Sequence, residues 1–92
     1  MYNIKRVINF KVKGYNRYDE LKREDVIFKT EDLNELLEAC VRINYNLKLC
    51  DISELISGEA KNVCIYDRYI HESFYSNTND FINVGYYAEK TE

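Results

Sequence analysis

Proline and tryptophan are absent from this 92-residue chain, glycine occurs three times, histidine once and cysteine three times. The glycines, Gly14, Gly58 and Gly85, are isolated, which excludes both a phosphate-binding loop and a dinucleotide fingerprint. Cys40, Cys50, Cys64 and His71 stand ten, fourteen and seven positions apart, and no C-x-x-C pair is present to form a chelating turn. A metal centre is therefore not expected. A nucleophilic dyad needs Cys or Ser beside His, but the seven-residue step from Cys64 to His71 puts them on opposite faces of a regular strand. The odd cysteine count reads as reduced thiols in a cytosol, with burial as the ordinary fate of Cys40 and Cys64. No apolar run approaches the roughly 20 residues of a membrane-spanning helix. The opening segment, Met1 to Arg6, carries charge without a following small-residue cleavage site, so it reads as a strand.

What is present is charge, split along the chain. Residues 1–30 hold eight Lys/Arg against four Asp/Glu, a net of +4; residues 31–92 hold five against twelve, a net of −7; the sum is −3. Nine tyrosines and ten asparagines are spread over both halves, and the Lys, Asn, Ile and Tyr excess is what AT-rich codons encode. An apolar content of 46% argues against disorder, and the length allows one domain with one core.

Residues 4–12 read as a half-buried strand, with Ile4, Ile8, Phe10 and Val12 on one face and Lys5, Asn9, Lys11 and Lys13 on the other; Arg6 and Val7 break the alternation. Gly14 and Asn16 mark a turn, residues 17–25 a charged connection with a helical turn near 20–23, and residues 26–28 a short second strand. Thr30 is the expected N-cap of a helix over residues 31–45, with Leu33, Leu36, Leu37, Cys40, Val41 and Tyr45 or Asn44 forming its apolar stripe and Asn46 ending it. Residues 47–51 fit either a short strand or a linker into a helix capped by Asp51 or Ser53 and stopped at Gly58. Residues 62–70 and 81–88 read as strands around a loop of turn formers at 76–80. Along the third strand, Val63, Ile65, Asp67 and Tyr69 alternate with Cys64, Tyr66, Arg68 and Ile70. The order β-β-α-(α)-β-β predicts an α+β fold: a single two-layer domain over residues 1–92, with an antiparallel sheet of about four strands and one long amphipathic helix on one face.

Two surfaces then compete for function. Lys5, Lys11, Lys13 and Arg17, with Lys22, Arg23 and the rings of Tyr2, Tyr15 and Tyr18, offer a nucleic-acid grip. The overall acidity, pI 5.2, argues instead for an ordinary solvated face whose lysines guard against edge aggregation. On the helix, Glu31, Glu35 and Glu38 fall at i, i+4, i+7 beside Asp32, relieved only by Arg42. Like charges so placed cost a few tenths of a kcal/mol per pair. Such a line can meet a basic groove and imitate phosphates, although a plain solvated helix face gives the same pattern. Tyr66, Tyr69, Tyr75, Tyr86 and Tyr87 gather toward the C-terminal strands; Tyr86 and Tyr87 must face opposite ways, and any exposed member is a potential interface anchor.

In size, in its Tyr- and Asn-rich acidic composition and in the strand-to-acidic-helix segment Val26-Ile27-Phe28-Lys29-Thr30-Glu31-Asp32-Leu33-Asn34-Glu35-Leu36, the chain resembles the small phage-encoded anti-CRISPR and anti-defence inhibitors. That resemblance implies stoichiometric inhibition without catalysis: an acidic protein occupying a basic nucleic-acid channel or holding a nuclease inactive in the bacterial host cytosol. The expected partner is accordingly a host protein, such as a nucleic-acid-binding nuclease complex, bound through Glu31, Asp32, Glu35, Glu38, Tyr66, Tyr69, Tyr86 and Tyr87. No cofactor, metal or membrane is expected. A nucleic-acid-binding module and a self-associating regulatory subunit, such as a homodimer, are the alternatives.

Overall fold

Two long hairpins side by side form the sheet. In the computed structural model, β1 (Tyr2–Lys13) pairs with β2 (Tyr18–Thr30), and β3 (Asn62–Tyr75) pairs with β4 (Thr78–Lys90). β1 and β4 also pair antiparallel, giving a four-stranded sheet of order β2-β1-β4-β3. The structure describes the backbone of residues 1–13, 18–75 and 78–91, and the side chains of residues 1–9, 22–68 and 83–91. Helix α1 (Leu33–Ile43), a 3-10 turn (Leu49–Ile52) and helix α2 (Ser53–Ser57) lie between the hairpins in sequence. They cover one face of one half of the sheet. The α+β two-layer expectation holds, in the order β-β-α-α-β-β.

The core follows from the amphipathic patterns. Ile4 of β1, Leu36 and Cys40 of α1, Leu55 of α2, Ile65 of β3 and Ala88 of β4 form one buried cluster. Burying a side chain the size of Leu36 or Ile4 contributes about 1.5–3 kcal/mol. Tyr2, Phe28, Val63 and Tyr86 pack around it from the strands. All of these strand positions lie near the ends joined to the helices, so the far halves of the hairpins extend past the helical layer. No helix among the described residues is long and apolar enough to cross a membrane.

Several boundaries differ from the sequence reading, each for a physical reason. The charged stretch 17–25 is not a connection with a helical turn: residues 18–25 belong to β2, whose register runs from Lys13↔Tyr18 to Tyr2↔Thr30. Its charges are cross-strand and same-strand partners, so polar residues occupy both faces and the period-two signal vanishes. Ile27 is an extra residue opposite the Ile4/Lys5 step, and Ile65 is extra between Cys64 and Tyr66, which shifts the phase of each strand. Because of the second bulge, Ile65 is buried while Cys64 is exposed, contrary to the burial expected for that thiol. β3 and β4 each extend toward the tip, so Thr78 to Asp80 pair in the sheet; the remaining loop positions, 76 and 77, lie outside the described residues.

Helix α1 begins at Leu33, not at residue 31, because Asp32 rather than Thr30 caps it: the Asp32 side chain accepts from the Asn34 N–H at 2.9 Å. It ends at Ile43, before Tyr45. Asn44 is the C-cap in an extended conformation, and its side chain donates to the Ile65 carbonyl at 3.0 Å, pulling the chain onto β3. Of the alternatives for residues 47–51, the helical one is observed. The Asp51 carboxylate accepts from the Lys48 N–H at 2.7 Å, Ile52 precedes α2, and Gly58 stops it at φ 85, where a side chain would be strained.

Candidate functional site

The corner from β2 into α1 is built by one buried hydroxyl. Thr30 ends β2 at 8% exposure; its hydroxyl donates to the Glu35 carboxylate at 2.6 Å and accepts from the Asp32 N–H at 3.1 Å. Asp32 in turn caps the helix, whose first hydrogen bond runs from the Leu36 N–H to the Asp32 carbonyl at 3.1 Å. This chain of contacts leaves Glu31 exposed at the corner, outside the helix. Asp32, Glu35 and Glu38 follow, all on the exposed surface, with Glu31 and Asp32 where the helix dipole favours negative charge. A shallow depression of about 320 Å³ lies between α1 and β2, with Phe28 and Ala39 lining it beside Glu35, Glu38 and Arg42. Val41 adjoins this region at 39% exposure, and Ile27, next to Phe28 on the edge strand, is 43% exposed. The four predicted acids are thus brought together, with apolar surface beside them.

Arg42 is the cation that lines the depression beside Glu35 and Glu38. Among the described residues, no cation pairs with Glu31, Asp32, Glu35 or Glu38. The sheet cations behave in the opposite way. Lys5 meets Glu89 at 3.1 Å, Lys22 meets Glu24 at 3.0 Å, and Arg6 and Arg23 share Asp25 at 3.5 and 3.1 Å. The hydrogen bond to Glu89 holds the Lys5 ammonium above its ordinary value, and the bond from Lys22 holds the Glu24 carboxyl below its own. Four of the eight cations in residues 1–30, Lys5, Arg6, Lys22 and Arg23, are thus held in ion pairs within the sheet. Lys11 and Lys13 lie in β1 with side chains outside the described set, and Arg17 lies outside the described residues altogether.

The tyrosines of the C-terminal strands divide between the two faces of the sheet, with Tyr66 and Tyr86 as cross-strand partners. Tyr86 packs against the core and Tyr66 is 38% exposed, both from the register row on the helix side of the sheet. Tyr69 pairs in register with Asn83, and its side chain is outside the described set. Tyr87 faces the open side, with its ring folded over Gly85: a Cβ there would lie 2.7 Å from ring atom Cε2. That ring shelters the neighbouring row, where Val7 is only 8% exposed. Surrounding protein, then Cys64 and Asp67, push the Tyr87 phenol above its usual value, against a lowering by Lys22. Displaced water and the Asp67 carboxylate likewise raise the Cys64 thiol.

Sequence reasoning missed Tyr45, 83% exposed, and Leu49, 58% exposed, both in the segment after α1. Tyr45 fits the helical stripe by spacing, and only the Asn44 bond to β3 reveals that the helix stops before reaching it. No protein-family model matches the chain, and comparisons with curated proteins and with solved structures give no significant match.

Proposed function

We propose that the protein is a non-enzymatic inhibitor that binds a host protein through the acidic corner and outer surface of α1. The partner surface is basic and belongs to a nucleic-acid-handling defence enzyme, such as a CRISPR-Cas effector, in the cytosol of a bacterial host. One observation supports this reading: among the described residues, the carboxylates Glu31, Asp32, Glu35 and Glu38 are concentrated without an ion-pair partner, while Lys5, Arg6, Lys22 and Arg23 are paired within the sheet. A surface of this kind accelerates encounter with a basic groove and supplies register, whereas adjacent apolar groups such as Val41 and Ile27 supply area. The resemblance in composition and in the strand-to-acidic-helix segment to anti-CRISPR inhibitors supports the same direction. The nucleic-acid-binding alternative is weaker, because phosphates would have to displace Glu89 from Lys5 and Glu24 from Lys22.

Affinity capture from host lysate tests the proposal, with wild type and a Glu31→Lys/Glu38→Lys double variant as baits at two salt concentrations. The expected result is a basic nucleic-acid-handling protein retained by wild type at low salt and lost on charge reversal. Capture that is indifferent to both the reversal and the salt overturns it.

A further inference from the structure

Where β3 begins and β4 finishes, two lysines meet across the ladder. The Lys90 N–H donates to the Lys61 carbonyl at 3.2 Å, which continues by one step the register that pairs Asn62 with Glu89. Lys61 and Lys90 therefore stand directly opposite each other. Both lie on the helix side of the sheet, two residues from the core positions Val63 and Ala88. Like charges so placed destabilise a ladder. Among the described residues, neither lysine has an ion-pair partner. The nearby Glu89 carboxylate is held instead by Lys5 at 3.1 Å and by the Asn3 amide at 3.1 Å. The Lys90 ammonium is positioned by the Tyr2 ring, whose centroid lies 5.9 Å away and which packs against the core. A depression of about 730 Å³ opens beside the pair, lined further by Gly58 and Ala60 after α2 and by Met1 and Thr91. Two lysines and no carboxylate line it.

We infer that the Lys61–Lys90 pair is a binding site for a phosphate dianion, free or as the terminal group of a small phosphomonoester. A dianion set between two opposed ammoniums cancels their repulsion and accepts a charge-assisted hydrogen bond from each. Residues directly opposite in an antiparallel pair have Cβ atoms about 5 Å apart, so two flexible lysine stems converge on one tetrahedral group without moving the backbone. A single carboxylate satisfies the pair less completely, because one negative charge leaves one ammonium uncompensated. The depression beyond the pair falls within the roughly 300–1,000 Å³ of small-molecule sites, enough for an organic body attached to the phosphate. The Met1 side chain, 47% exposed, gives that body an apolar contact. The pair shares its end of the sheet with the acidic corner, since Tyr2 is in register with both Thr30 and Lys90. None of Glu31, Asp32, Glu35 and Glu38 lines the depression, so this inference stands independently of the proposed inhibitory function.

Amide NMR titration of the full chain decides it, with inorganic phosphate and with AMP as probes and sodium chloride holding the ionic strength constant. The expected result is a saturable shift centred on Gly58, Ala60, Lys61, Lys90 and Thr91, with a midpoint of about 1 mM or tighter, that chloride alone does not produce. Lys61→Gln and Lys90→Gln should each weaken binding at least tenfold, as the loss of a charge-assisted contact requires. Tighter binding of AMP assigns the site to a phosphomonoester and equal affinity assigns it to the free ion; both uphold the phosphate site. No saturable shift up to about 20 mM, the result if the chain's own carboxylates already serve the pair, overturns the inference. So do shifts centred elsewhere on the sheet, or glutamine variants that bind as wild type does. The titration of unaltered protein stands whatever the variants do to folding.

Discussion

Replacing Glu35 by lysine should destabilise the fold, whereas the same change at Glu31 or Glu38 should not, although all three are exposed acids on one surface. The difference lies in Thr30, whose buried hydroxyl donates to Glu35 at 2.6 Å, within the short range of a charge-assisted hydrogen bond. Bonds to charged groups contribute about 1.5–3 kcal/mol, and solvent access to Glu35 places this one at the lower end, near 1.5 kcal/mol. For a domain of this size that corresponds to a fall in Tm of roughly 6–10 °C. Glu35→Gln, which keeps an accepting oxygen, should recover most of the loss. Glu31→Lys should stay within about 0.5 kcal/mol of wild type. Glu38→Lys should add only the few tenths expected from a like charge four residues before Arg42. Urea denaturation followed by circular dichroism gives the ranking, and a Thr30→Val/Glu35→Ala cycle, in which each single change removes the bond, isolates the pair. A Glu35→Lys variant as stable as Glu38→Lys, or a coupling energy of zero, refutes the assignment of Thr30 as the anchor of the acidic corner.

The core and the open face make two further predictions. Burial raises the Cys40 thiol from 9.0 to about 11, so the folded chain keeps it neutral where the unfolded chain ionises it. Stability from this source is intact below pH 9 and is lost as pH climbs from 9 toward 11. Between pH 7.5 and 10.5, wild type should therefore lose about 2 kcal/mol more than Cys40→Ala in urea titrations, and equal losses would contradict the burial argument. Gly85→Ala should lift the Tyr87 ring, since the new Cβ would meet ring atoms at 2.7 and 3.1 Å. The Tyr87 phenol should then titrate closer to its ordinary value by NMR, while net stability changes by less than about 1 kcal/mol because alanine suits a strand better than glycine. An unmoved Tyr87 resonance would show that the ring does not depend on the gap above Gly85.

The parts of the fold legible in the sequence are those written in a single period. The stripe of Leu33, Leu36 and Cys40 announced α1, and the alternation of Ile4, Ile8 and Phe10 announced β1. β2 was largely hidden because Arg23 and Asp25 pair with each other and with Arg6, so hydropathy does not distinguish its faces. The bulges at Ile27 and Ile65 flip the phase in mid-strand, a backbone event that alternation alone does not signal. The acidic cluster was legible as spacing, but its internal division was not. That Glu35 is tethered while Glu31 stands at a corner depends on Thr30 ending a strand rather than capping a helix. The opposite facing of Tyr86 and Tyr87 follows from strand geometry and was legible: one joins the core and the other covers Gly85.

The central claim concerns the acids that need no tether. The most direct measurement is the affinity of the captured partner for wild type and for the Glu31→Lys/Glu38→Lys variant, by calorimetry at two salt concentrations, after confirming equal urea midpoints. The account predicts at least a tenfold loss on reversal, together with a wild-type affinity that falls as salt rises. Equal affinities for the two proteins at both salt concentrations would contradict it.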